Sequence, residues 1–201
     1  MPISGPPRII FAQKQWKEAL DYYELSLRID PELPDAYSGR GNVKLRLDNV
    51  AEAMADFEKA YQLDPFSSAA VTGLSYARVR AGRIDDGLKI VVASREDLKQ
   101  DPTFLYNAAC VYAQAWEQAE KQTGLPDREQ RLSDYRRQAL EDLKQSIARG
   151  FSDFDWMQHD PDLASLRFRD PEYKKLLGDR PTRISDDPLA PPVPDSEEEA
   201  E

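Results

Sequence analysis

The chain has 201 residues but a single cysteine, Cys110, and a single histidine, His159. One thiol allows no intrachain disulfide and no multi-cysteine metal site. Its place in an apolar helical run reads as a buried, inert thiol. His159 has Asp160 and Asp162 beside it, but sequence neighbours rarely converge on one ion, so no metal and no cofactor is implied. No apolar run reaches the ~20 residues that a membrane-spanning helix needs. The N-terminus carries Pro2, Pro6 and Pro7 and an apolar run of only Ile9, Ile10 and Phe11, which is a poor signal peptide. A reducing cytoplasm is the expected compartment, with no membrane partner. Basic residues are also short, 27 against 37 acidic ones, for a net charge of −10. Residues 178–201 account for −6 of this, which leaves only −4 for the body. An acidic chain without a basic stripe excludes nucleic acid as a partner. There is no Gly-rich phosphate loop, no H-R-D, no D-F-G and no Ser/His/Asp or Cys/His arrangement. Asp85 and Asp86 form a carboxylate pair, but they sit at a helix start, where capping explains them. The chain is not read as an enzyme.

What is present is helical periodicity, clearest over residues 34–67. Tyr37, Val43 and Leu47 share one helix face with Gly41 among them, and Val50, Ala53, Met54, Phe57, Ala60 and Tyr61 share another. Asp48 and Asn49 break the pattern between the two. Asn49 and Glu52 have capping-box spacing. Asp64-Pro65 ends the second helix, because a residue before proline is biased away from the helical region. Gly41 and Ala53 are small enough to let two backbones cross closely, with Tyr37 and Phe57 filling the flanks.

The rest of the chain reads as variants of this hairpin. Residues 1–10 are irregular. From residue 11 to residue 33 there is one helix, carrying Trp16, Ala19, Leu20, Tyr23, Leu27 and Ile29. It is the second half of a repeat whose first half is missing. Its apolar face around Trp16 and Leu20 is therefore expected to be exposed, or covered by residues 1–14 or by another molecule, unless the chain is the tail of a longer protein. Residues 68–101 form a degenerate hairpin. Residues 102–150 form a longer one, opened by Asp101-Pro102 and broken at residues 123–126, with a capping box expected from Asp127 and Gln130. Residues 151–177, with two Asp-Pro helix starts, are expected to cap the open end that a solenoid must cover. The tail, 178–201, has five prolines and an acidic end, and cannot bury enough apolar surface to fold. It is read as disordered, either simply solubilising or a docking or phosphorylation segment.

Residues 34–67 resemble a tetratricopeptide repeat, a unit of ~34 residues. With Pro34 as the first position, Tyr37, Gly41, Ala53, Phe57, Ala60 and Pro65 fall on positions 4, 8, 20, 24, 27 and 32 of that pattern. Arg40 and Lys44 depart from it, where Leu and Tyr are usual. The resemblance implies an all-α, right-handed solenoid of about three and a half helix–turn–helix repeats. It also implies a concave groove lined by the first helices: Ser38, Asn42, Leu45 and Arg46, then Thr72, Tyr76, Val79 and Arg80, then Tyr106, Cys110 and Gln114. These are either a peptide-recognition surface or merely solvated helix faces. Chaperone-tail binders of the family clamp a terminal carboxylate with lysine and asparagine. Asn42 matches that clamp, but Ser38, Ala69 and Gly73 break it, so chaperone-tail binding is not expected.

Residues 100–177 also resemble the C-terminal end of repeat domains found behind eukaryotic-like serine/threonine kinases of bacteria. The matching residues are Tyr106-Asn107-Ala108-Ala109-Cys110, Gly150-Phe151, Asp160-Pro161-Asp162-Leu163, Leu166-Arg167 and Pro171 through Leu177. This implies a regulatory or assembly appendage. The sequence thus points to a non-catalytic scaffold that holds a peptide or helix of a protein partner in its groove. The alternatives are a self-assembling repeat protein, pairing through the exposed first helix, and the severed regulatory region of a larger signalling protein.

Overall fold

The computed structural model describes residues 13–178. The irregular start expected over residues 1–10 and the disordered tail expected beyond Gly178 lie outside the described residues. Ten α-helices follow in order: α1 Gln13–Ile29, α2 Pro34–Arg46, α3 Val50–Leu63, α4 Ser68–Arg80, α5 Ile84–Leu98, α6 Pro102–Lys121, α7 Arg128–Ala148, α8 Phe154–His159, α9 Ala164–Arg169 and α10 Pro171–Leu177. A single 3-10 turn, Pro161–Leu163, precedes α9. The described residues contain no strand.

Helices α2 and α3, α4 and α5, and α6 and α7 pack as hairpins, and α1 packs on α2. The first helices α2, α4 and α6 also touch one another in succession and form an inner layer. This is the all-α repeat solenoid that the resemblance implies.

Phe57 shows how closely the helices cross. Its ring is fully buried and lies between two glycines. A Cβ on Gly41 of α2 would come within 2.9 Å of the ring, and one on Gly73 of α4 within 2.2 Å. Both positions admit only hydrogen.

The two residues that depart from the repeat pattern share one partner, Asp56. Asp56 of α3 is only 5% exposed. Arg40 reaches it with Nε at 2.9 Å and Nη2 at 2.6 Å, and Lys44 reaches it with Nζ at 2.9 Å. Three charged side chains thus replace an apolar contact across one hairpin, and the carboxylate is held by two cations. Asp142 of α7, fully buried, is bound in the same way by Arg95 of α5 at 2.6 and 2.8 Å.

Two expected capping boxes do not form. Asn49 and Asp127 stand at the N-cap positions of α3 and α7, but neither side chain caps its helix. Asp127 sits in the left-handed region at φ 50°, and Gln130 reaches forward to Asp134 instead. The caps at Asp-Pro do form. Asp101, Asp160 and Asp170 each accept a backbone N–H two residues on, from Thr103, Asp162 and Glu172. Proline at the first helical position leaves the following amides for the aspartate to bind.

On the first helix, the face expected to be exposed or covered is at least partly covered: Trp16 is buried and Leu20 is half-buried. The exposed apolar side chains of α1 are Tyr22, Leu25 and Ile29, at 67, 51 and 77%.

Candidate protein-binding groove

The inner layer places the sequence-derived groove residues along one face, and the structure divides them into three groups. Ser38, Leu45, Thr72 and Val79 are buried. Asn42 is exposed. Arg46, Tyr76, Tyr106 and Cys110 meet a segment of the chain itself, with Gln114 behind Tyr76 and Arg80 turned to Leu45 and Asp48.

That segment is Asp160-Pro161-Asp162. The final helices do more than close the end of the solenoid. They fold back, so that the 3-10 turn Pro161–Leu163 and α9 pack on α6 while α10 packs on α7. The apolar anchors are Met157, Leu163, Leu166 and Tyr173, all fully buried. Phe151 stacks on Tyr106 with ring centroids 4.2 Å apart. Arg169 lies over the Trp116 ring and pairs with Glu120, which ties α9 to the far end of α6.

Both aspartates then face the inner layer. Tyr106 donates its hydroxyl to Asp160 Oδ2 at 2.6 Å, with Cys110 Sγ at 3.8 Å from the same oxygen. The other oxygen, Oδ1, accepts the Asp162 backbone N–H at 2.9 Å. Tyr76 donates to Asp162 Oδ1 at 2.8 Å and sits 3.1 Å from the Gln114 amide oxygen. Arg46 reaches both Asp162 oxygens, at 3.4 and 3.1 Å. Arg80 binds the Leu45 carbonyl at 3.1 Å and Asp48 at 2.7 Å. Residues from α2, α4 and α6 therefore converge on two carboxylates separated by one proline.

The electrostatics follow from burial. Asp160 is 2% exposed. Burial, and then the neighbouring Asp162 charge, push its carboxyl above the usual carboxylate range. Burial also drives the Tyr76 and Tyr106 phenols and the Cys110 thiol well up, so all three remain protonated donors. For Arg46, burial works against the charge, but Asp162 and Asp160 outweigh it and the guanidinium is held charged.

Cys110 is buried and protonated, and His159 spends Nδ1 on the Asp155 carbonyl at 2.7 Å. Among the described residues no group of three His, Cys, Asp or Glu side chains is placed to hold a metal, and no helix is long and apolar enough to cross a membrane. A second hollow of about 420 Å³, lined by Glu117, Glu120, Lys121, Ala164, Ser165, Phe168 and Arg169, lies between α6 and α9. Sequence reasoning placed Ser38, Leu45, Thr72 and Val79 on the groove surface, but packing between neighbouring helices buries them, and it did not foresee the segment that meets the others. The one available signal was the pair of carboxylates flanking Pro161.

A helical repeat solenoid whose inner layer presents polar side chains defines a class of protein-binding folds. Residues 8–84 match the family model described as tetratricopeptide repeat. Curated relatives match in part. The human mitochondrial import receptor subunit TOM70 is 38% identical over 58 residues, 29% of this chain and 10% of that protein. Serine/threonine-protein phosphatase T of Aspergillus oryzae is 30% identical over 93 residues, 45% of this chain and 20% of that protein. Hsp70-Hsp90 organizing protein 1 of Glycine max is 30% identical over 93 residues, 46% and 16% of the two chains. The chain thus spans a fifth or less of the length of these relatives. Among solved structures, YrrB, described as a TPR protein with an unusual peptide-binding site, is similar with a TM-score of 0.42 and 22% identity. That likeness covers 68% of this chain and 79% of that one.

Proposed function

We propose that the chain is a non-catalytic scaffold or adaptor, acting in the cytoplasm, that holds a peptide or helix of a protein partner on its concave face. One observation carries this reading. The face already holds a stretch of polypeptide, Asp160-Pro161-Asp162, through side chains of three successive first helices. Arginine and tyrosine supply charge, flat apolar area and donors in one place, as binding hot spots do. The broken clamp argues against a chaperone tail as the partner. Gly73, where that clamp needs arginine, has the Phe57 ring against it. A photo-crosslinking residue placed at Asn42 tests the groove against one at Val92, which is 59% exposed on α5. Capture from Asn42 and not from Val92 is expected. The reverse would move the binding face to the outer helices.

A second reading, self-association, is favoured by Tyr22, Leu25 and Ile29, which stand exposed at helical spacing on α1. Light scattering on the purified chain tests it. A dimer that Leu25→Glu with Ile29→Glu dissolves would establish it, and a monomer at all concentrations would dismiss it. A third reading, the regulatory region of a larger signalling protein such as a kinase, rests on the resemblance of residues 100–177, and the genomic sequence on both sides tests it.

A further inference from the structure

The two carboxylates that enter the groove are not held alike. Asp160 is enclosed, with Tyr106 and the Asp162 N–H at short range on its two oxygens. Asp162 stands at the edge. Its side chain is 19% exposed and that of Arg46 is 29% exposed, so water reaches the pair. The Arg46 fork is long, at 3.1 and 3.4 Å, against 2.6 and 2.8 Å for the Arg95 fork on Asp142. The apolar anchors of the cap, Leu163 and Leu166, are fully buried and keep it folded, though looser, when the Asp162 carboxylate turns away. Rotating this one side chain outward would empty the seat without unfolding the cap.

We propose that Asp162 occupies, in cis, the seat of a partner's carboxylate, so that the groove recognises an acidic segment and the chain's own cap competes for the site. This deepens the groove reading above and rests on it. The seat has the chemistry for the task. Arg46 offers two parallel donors, which match a carboxylate bidentately, and Tyr76 adds a phenol held in its protonated form. Arg80 also acts on Tyr76 electrostatically, and its side-chain partner Asp48 is 81% exposed and free to yield. A chain with net charge −10 thus gathers two arginines on the one face where it holds an acidic peptide of its own. An internal competitor lowers apparent affinity by the fraction of time it fills the site. Removing its charge therefore raises affinity without adding any contact to the partner.

The test uses the full chain and two fluorescein-labelled heptapeptides, Ala-Ser-Asp-Pro-Asp-Leu-Ala and its counterpart with Asn-Pro-Asn. Fluorescence anisotropy reads binding. Asp162→Asn should bind the aspartate peptide about tenfold more tightly than the parent, as release of a cis competitor requires. Adding Arg46→Gln to Asp162→Asn should abolish the gain. Should that double variant fail to fold by circular dichroism, Tyr76→Phe in the Asp162→Asn chain replaces it and should cut the gain. No difference between Asp162→Asn and the parent would overturn the proposal. Equal binding of both peptides would overturn acid recognition while leaving a peptide groove intact. Failure of the groove itself would show separately, as crosslinking from Val92 in place of Asn42.

Discussion

Tyr76 on α4 donates its hydroxyl to Asp162, 86 residues further along the chain, at 2.8 Å. This bond ties the second hairpin to the C-terminal cap across the concave face, and α2 joins it through Arg46. The cap is therefore part of the groove's surface as well as the end of the solenoid.

Tyr76→Phe should loosen the cap. It removes one hydrogen bond to a charged, partly exposed acceptor, a loss of about 1.5 kcal/mol. Chemical denaturation should show that loss. Hydrogen exchange should show faster exchange at the Leu163–Leu166 amides than at those of α3. Equal protection in both would mean the bond does not hold the cap.

Gly73→Ala should cost more than Gly41→Ala. The new methyl at 73 would overlap the Phe57 ring far more deeply than the one at 41. Overpacking of this kind costs about 1–3 kcal/mol. Gly41→Leu should fall in the same range, and Phe57→Ala should relieve the penalty of Gly73→Ala in a double-mutant cycle. Independent effects would place the ring elsewhere.

Asp142→Ala should destabilise by about 1.5–3 kcal/mol, the worth of hydrogen bonds to a charged group. Arg95 and Gln138 both lose their partner. Asp142→Asn should recover part of the loss, since its carbonyl still accepts from Arg95. Thermal melts of the three proteins at neutral pH give the order directly.

The two cap aspartates should titrate in opposite directions. Burial and then Asp162 raise Asp160. For Asp170, burial also raises the carboxyl, but the Arg136 guanidinium and the amides of Glu172 and Tyr173 outweigh it and leave the group below its ordinary value. The reference is an unfolded aspartate near 3.9. Asp170 then contributes stability above that value and loses it as pH falls through its folded one. Asp160 contributes through its protonated form below that value and loses it as pH rises through its folded one. Carboxyl carbon NMR titration should place Asp160 above the reference and Asp170 below it. Asp170→Asn should flatten the acid limb of the stability curve. A common midpoint for both groups would refute the assignment.

Much of the fold was legible from local chemistry. Helical periodicity located the helices. Asp-Pro pairs marked the starts of α6, α10 and the 3-10 turn, because proline fixes the first helical residue and aspartate binds the next free amide. Gly41 announced a close crossing. The same local reasoning failed at Asn49 and Asp127, where the spacing of a capping box is present but the backbone carries the side chain away from the helix. At Trp16 it left the outcome open, because periodicity tells which residues share a face and not what covers that face. Arg40 and Lys44 looked like defects in a repeat. They are explained by Asp56, on the opposite helix of the hairpin, which no spacing rule connects to them.

The sequence by itself determined the helical hairpins and their order, since each follows from contacts within ~34 residues. Tertiary structure alone decided what that layer holds. Asp162 meets Arg46 across 116 positions and Asp160 meets Tyr106 across 54. Pairings at that range depend on how hairpins stack and how the cap folds back, and burial then sets the charge and donor state of every group that meets there.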